Sequence, residues 1–469
     1  LVTITTAFDP VVEPPPIMPS IYGPELPAHR AKDIPGLVSL PVTRLFPDIP
    51  RALYHVGDDV TAIHTSTVDA LSDVDMSMIR PEHTVNVICS EHGFGMDGGL
   101  PYAEMLTAIK EELRDRTGCT VRLIVVAWLG RKEPGELVEF FHLDERFDGN
   151  WRGATPLDHG IRIDTVLGPL YGVRKVYDAD WIVHTHYDDP REIYLHRMID
   201  RITKPFGMSY ARMETRSIFH VTMGPRTGNL IGRAIADSTF VRQKLAFSVT
   251  LKSSPDGICG VDADNDLDAL GNRVTANVLS AYGKMWTLIQ AIEECIPVID
   301  GGKWPYYNHA GGMIFGHLLY NGRDWLDLDL QDPAASMEIV SHGMSKSIRA
   351  VVLNHSLIGL TVAAMPMLYP VVVSNPEMAE SMRRDFSNSA FMDLAAEAPN
   401  LFEGVELAKE RGGTDKLICF DGTFGAMNLS PSLAEDLLRL APECSQRVDD
   451  DLLPRWLKQR GIDPAGLRL

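Results

Sequence analysis

The chain has 469 residues, 45% of them hydrophobic and 23% charged, the proportions of a globular protein with more than one domain. Lys and Arg number 44 against 63 Asp and Glu, a formal charge of -19. With no basic run to offset this, neither nucleic acid nor an anionic membrane surface is an expected partner. Six scattered cysteines without a CxxC pair read as reduced thiols in a cytoplasmic protein.

Residues 1–50 hold Pro14, Pro15 and Pro16 in a row and no helical period, and are expected as an extended arm lying over a domain. Regular structure is expected from residues 84–89, whose apolar run suits a buried parallel strand. Met105, Ile109 and Leu113 then recur every four residues. With Pro101 in the first turn and Gly118 just past the last, residues 101–117 read as a helix. A second buried strand at 121–128 completes a βαβ unit. Another strand is expected at 180–186, then helices over 191–202 and 229–245. Strands at 247–251 and 257–261 are expected to pair across the turn Ser253-Ser254-Pro255-Asp256-Gly257.

A helical pattern over 267–296 carries the chain into a second domain, with strands near Val298, Val351, Val371 and Leu417. Residues 350–374 contain no Asp, Glu, Lys or Arg and are long enough to span a bilayer. Asn354, His355 and Ser356 near the start, with Pro366 and Pro370 near the end, favour two short buried strands instead. No further segment suggests a membrane.

Two constellations could carry chemistry. Gly93-Phe94-Gly95-Met96-Asp97-Gly98 is a literal G-x-G-x-x-G between a strand and a helix, where backbone N–H groups could approach a phosphate. The helix starts late, and the next strand ends in Gly130-Arg131-Lys132 rather than an acidic residue. Arg131 and Lys132 could meet a 2′-phosphate, so an NADP-linked oxidoreductase is one reading, and a flexible glycine turn another. The second constellation is dense in histidine: His184 and His186 end a strand as H-T-H, followed by Asp188, Asp189, His196, Lys204 and His220. Alternate strand residues share a face, and carboxyl strand ends are where open α/β sheets bind ligands. Imidazole there can hold a metal or move a proton.

The run Ala179-Asp180-Trp181-Ile182-Val183, then Asp189-Pro190, Lys204-Pro205-Phe206-Gly207, Glu214-Thr215 and Phe219-His220 resembles the lactate racemase family, which works with a nickel-pincer nucleotide. Pro225-Arg226-Thr227-Gly228-Asn229-Leu230 and the stretch from Leu245 to Val261 follow the same rhythm. The resemblance implies that Lys204 tethers the cofactor through a thioamide and that His220 is the protein ligand to nickel. The nucleotide phosphate would then lie on the loop of Gly93, Gly95 and Gly98, and Tyr282 and Lys284 would hold substrate. The family's first catalytic histidine is replaced here by the Trp128-Leu129-Gly130 region, and the histidine after its acidic-proline step by Arg191. An acid/base pair would therefore be drawn from His184, His186 and His196.

The expected fold is α/β, with two α/β domains of mostly parallel sheets and the active site in the interdomain cleft. Residues 1–50 form the arm, 51–270 a cofactor-binding domain, 271–430 a second α/β domain, and 431–469 helices packing back. The expected function is racemisation or epimerisation of a 2-hydroxy acid or related sugar acid by hydride shuttle to a lysine-tethered nickel-pincer nucleotide. The partner is a small anionic substrate, with a homo-oligomer as a possible assembly. The alternatives are an NADP enzyme using the Gly93 loop and a cofactor-free protein that keeps only the fold.

Overall fold

Short runs of β-branched and aliphatic residues, each flanked by turn or helix signals, build the sheets of the protein. The computed structural model describes residues 8–9, 29–55, 57–95, 98–127, 132–188, 202–221, 228–300, 324, 326–328, 345–355, 365–384, 390–421, 423 and 425–466. Its strands in chain order are β1 Val38–Pro41, β2 Thr84–Ser90, β3 Thr120–Val126, β4 Trp151–Ala154, β5 Gly160–Thr165, β6 Gly168–Val173, β7 Trp181–Asp188 and β8 Leu245–Ser254. They continue with β9 Gly257–Asp264, β10 Ile296–Asp300, β11 Val351–His355, β12 Val371–Val373, β13 Ala396–Glu397, β14 Leu417–Phe420 and β15 Ala426–Leu429. The fold is α/β with mixed, mostly parallel sheets.

The chain divides into two compact units, Pro50–Leu279 with Arg460–Leu469, and Leu1–Ile49 with Ser280–Gln459. In the first, a six-stranded sheet has the order β4-β3-β2-β7-β8-β9. All its pairings are parallel except the β8–β9 hairpin. Strands β2 and β3 are buried along nearly their whole length, which explains their unbroken apolar sequence. Helix Gly99–Thr117 starts two residues earlier than its proline suggests and ends where Gly118, at φ +70°, donates its N–H to the Arg114 carbonyl, as a C′ glycine does. The opposite face carries a separate β5–β6 hairpin and the helices after residue 203. Ile88, Ile124, Val126 and Ile182 of the sheet pack there with Ile163, Phe206, Tyr210 and Ile235.

In the second unit a seven-stranded sheet has the order β1-β15-β14-β10-β11-β12-β13. Strands β14, β10, β11, β12 and β13 run parallel. The apolar stretch 350–374 supplies β11 and β12, two short buried strands. Among the described residues no helix is long and apolar enough to cross a membrane.

Several expectations need correction. The arm over residues 1–50 is in part sheet: β1 pairs antiparallel with β15, and helix Pro431–Arg447 packs on it. Regular structure precedes residue 84 in helix Thr61–Ser72, whose buried stripe is Ile63, Thr67 and Leu71. The helix over 229–245 is two helices, Gly228–Ala236 and Thr239–Arg242. Ser238 Oγ accepts the Val241 N–H and starts the second, before β8 takes over at Leu245. The helix over 267–296 stops at Gln290, and Ile296 already belongs to β10. The helix over 191–202 falls almost wholly on residues 189–201, outside the described residues.

Candidate functional site

Chain order runs from β2 outward to β3 and β4 on one side, and β7 then enters on the other side of β2. The direction of winding thus reverses between β2 and β7. At such a reversal the loops leaving adjacent carboxyl ends diverge and leave a crevice. Ser90 ends β2 there and Asp188 ends β7.

Strand alternation puts Ile182, His184, His186 and Asp188 on one face of β7. The rings of His184 and His186 are 6.1 Å apart. Register extends this polar row sideways, because paired residues on neighbouring strands share a face. His184 pairs with Ser248 and Ser248 with Asp264; His186 pairs with Thr250 and Thr250 with Asp262; Asp188 pairs with Lys252. Arg273, on helix Leu267–Gln290, closes the row. Its Nε and Nη2 donate to Asp262 and its Nη1 to Asp264, all at 2.9 Å. Ser248 and Thr250 are buried, and their hydroxyls have no hydrogen-bond partner among the described residues. Buried polar groups are ordinarily paired, so this face has more hydrogen-bonding capacity than the fold alone uses.

His184 sits deepest. Its Nδ1 shares a 2.7 Å hydrogen bond with the Tyr210 hydroxyl, and its ring packs against Phe206 at 5.1 Å. Burial pushes its pKa down to about 3, with the Ile202 backbone working weakly the other way. A ring that stays neutral so far below pH 7 is a fixed hydrogen-bonding group rather than a proton carrier. Burial thus weighs against an acid/base role for His184, and His186 lies one step nearer the strand end.

Lys204 opens the short helix Lys204–Gly207, in which every residue is buried. The lysine itself is only 8% exposed. The turn is held by backbone packing against helix Gly228–Ala236. A Cβ on Gly232 would lie 2.3 Å from the Thr203 carbonyl oxygen, and one on Gly207 would lie 3.0 Å from the Gly232 nitrogen. Lys204, through its neighbour Phe206, therefore lies on the His184 side of the sheet. His220 lies on helix Met213–Val221, but its side chain, like all of His196, is outside the described residues.

The glycine loop has a packing explanation. A Cβ on Gly93 would lie 2.1 Å from the Tyr102 ring, and one on Gly98 would lie 2.1 Å from the Gly93 carbonyl oxygen. Residues Glu91–Phe94 form a 3-10 turn. The N–H of Gly95 donates to His92 at 3.4 Å and that of Gly98 to Gly95 at 3.0 Å. These two amides are thus bonded within the loop, and residues 96–97 lie outside the described residues. Lys132 is exposed ahead of helix Glu133–Phe140, and Arg131 lies outside the described residues.

Tyr282 and Lys284 belong to the other unit. Tyr282 is fully buried. Lys284 Nζ is held between Asp48 and Asp449, the latter at 2.8 Å. Burial works against its charge, yet the two carboxylates raise its pKa overall. Its ammonium is thus engaged within its own unit.

The sequence reading missed Tyr210, Ser248, Thr250 and the Arg273 clamp. The one available signal was the alternation Ser248-Val249-Thr250-Leu251-Lys252, which puts polar residues on a single strand face. In sequence comparison the chain matches no protein-family model and no curated protein. Among the described residues no three His, Cys, Asp or Glu side chains gather as a metal-ligand cluster.

Proposed function

We propose that the protein is an isomerase that racemises or epimerises a 2-hydroxy acid, or a related sugar acid, at the carboxyl edge of the six-stranded sheet, with Lys204 carrying a nickel-pincer nucleotide. The observation that carries this reading is the burial of Lys204 on a turn locked by Gly207 and Gly232, on the same side of the sheet as His184 and His186. The residues present fit the group at this point. The chain neighbours of Lys204, namely Thr203, Pro205, Phe206 and Gly207, are all buried, and an amide-like linkage on such a turn would carry no charge of its own. His220 would be the metal's protein ligand. When bound, the group supplies an acceptor and donor for the α-hydrogen of the substrate.

The chain's own residues would do the rest. His186 takes the proton from the substrate hydroxyl and returns it, with His196 as the second base that the resemblance calls for. His184, kept neutral and fixed by Tyr210, orients that proton transfer. Lys252, the register partner of Asp188, meets the substrate carboxylate, and the Ser248 and Thr250 hydroxyls offer hydrogen bonds to its oxygens.

The test is co-expression with enzymes that make the cofactor, followed by peptide mass analysis and metal analysis. The expected result is an added mass on the peptide containing Lys204, absent from Lys204→Ala, and nickel retention that His220→Ala abolishes without loss of fold. An unmodified Lys204 in protein that is active without nickel would end this reading.

A further inference from the structure

Among the described residues, the β5 side of the β5–β6 hairpin is an edge that no strand pairs with. The hairpin forms a two-stranded sheet of its own, closed by the Val166-Leu167 turn between the paired residues Thr165 and Gly168. In an antiparallel pair, hydrogen-bonded and non-hydrogen-bonded positions alternate. A two-residue turn makes Thr165–Gly168 a hydrogen-bonded pair, so Ile163–Leu170 is another, while Asp164–Pro169 and Arg162–Tyr171 are not. The far side of β6 agrees with this phase. The Tyr171 carbonyl accepts from Arg212 at 2.9 Å, and the Tyr171 N–H donates to Thr215 Oγ1 at 2.7 Å, both away from β5. The N–H and C=O groups of Arg162 and Asp164 must then point outward from β5.

The side chains on this edge are of opposite charge and exposed. Arg162 and Asp164, 62% and 77% exposed, form an ion pair at 2.9 Å along the strand. Ile163 between them is buried in the core. At the tip, Val166 is 92% exposed beside the exposed Leu167, and Tyr171, the register partner of Arg162, is exposed as well.

The geometry points to a two-fold homodimer in which β5 pairs antiparallel with β5 of a second copy, centred on Ile163. In that register Arg162 faces Asp164 of the second copy and Asp164 faces its Arg162, so both charges find opposite partners twice over. These are also the positions whose main-chain groups point outward, so each pair exchanges its N–H···O bonds. An isologous contact requires a self-complementary surface, and an Arg-x-Asp alternation about a central residue supplies one. A strand edge of this length makes a weak dimer, which the exposed Val166 and Leu167 extend. The inference is independent of the chemistry proposed for Lys204.

Sedimentation equilibrium over a concentration series tests it. The intact protein is expected to dimerise reversibly. Arg162→Asp places like charges opposite one another at both pairs, and should weaken the dimer roughly tenfold or more. The double variant Arg162→Asp/Asp164→Arg restores opposite charges in the same register and should regain dimerisation. Asp164→Pro removes an outward N–H while sparing the hairpin's own bonds, and should weaken the dimer as well. A protein that stays monomeric throughout, or a dimer indifferent to these substitutions, would overturn the proposal.

Discussion

His184 shows how a buried strand position fixes both the chemistry and the pH response of a side chain. Its folded pKa of about 3 lies below the ordinary value of 6.5, so the unfolded chain binds this proton more tightly than the folded one. Stability therefore falls as pH drops below about 6.5, and the loss grows until pH reaches about 3. At pH 5 this one ring should cost about 2 kcal/mol relative to neutral pH. His184→Asn keeps a polar group for Tyr210 but has no proton to gain. Melting temperatures measured from pH 7.5 to pH 5 should fall less steeply for the variant than for the native protein, and equal slopes would show that the ring is not held neutral. The sequence placed His184 correctly on a strand face shared with His186. It could not show the depth, because burial there depends on Phe206 and Tyr210, which arrive from another part of the chain.

At the scale of elements, what the sequence made legible depended on whether local signals agreed with tertiary packing. Helix Gly99–Thr117 was readable because its apolar period and its terminal glycine act together. Helix Thr61–Ser72 was not, because its buried stripe includes Thr67, whose hydroxyl is satisfied by the Ile63 carbonyl at 2.8 Å within the helix. The β5–β6 hairpin escaped notice because Val166-Leu167 lacks the Asn-Gly or Asp-Gly turn signal. Helical glycines are equally opaque in sequence, and two of them make a matched prediction. Gly232→Ala would push a methyl group into the Thr203 carbonyl, a backbone contact that cannot rotate away. It should destabilise the protein by about 1–3 kcal/mol, as overpacking does. Gly135, in helix Glu133–Phe140, has nothing within 4 Å of its would-be Cβ, so Gly135→Ala should be neutral or add about 0.4–1 kcal/mol. Urea denaturation of both variants decides the matter; similar midpoints would mean that the Lys204 turn is not clamped by Gly232.

At the scale of the whole molecule, alternation of strands and helices made the α/β class legible, whereas the pairing of distant segments was not. Nothing near residue 30 announces that Arg30 will reach Asp300. Asp300 ends β10 beside β14, where the winding of the seven-stranded sheet reverses. Arg30 Nε donates to Asp300 Oδ2 at 2.7 Å, the Ala31 N–H to the same oxygen at 2.8 Å, and Asn354 Nδ2 to Oδ1 at 2.9 Å. Burial raises the Asp300 pKa to about 6, although Arg30 and these hydrogen bonds pull it down. Because the folded value lies above the unfolded one, the ionised carboxylate costs stability above about pH 6, and that cost is relieved as pH falls toward 4. Arg30→Ala removes the guanidinium and leaves the buried carboxylate without its counter-charge, a loss on the order of 3–5 kcal/mol. The raised pKa should rise further in the variant. The gap in melting temperature between variant and native protein should therefore be widest near pH 8 and narrow toward pH 5, where Asp300 can take up a proton in the folded state. Scanning calorimetry across that range is the measurement, and a gap that stayed constant with pH would mean that Arg30 holds residues 29–33 by packing alone.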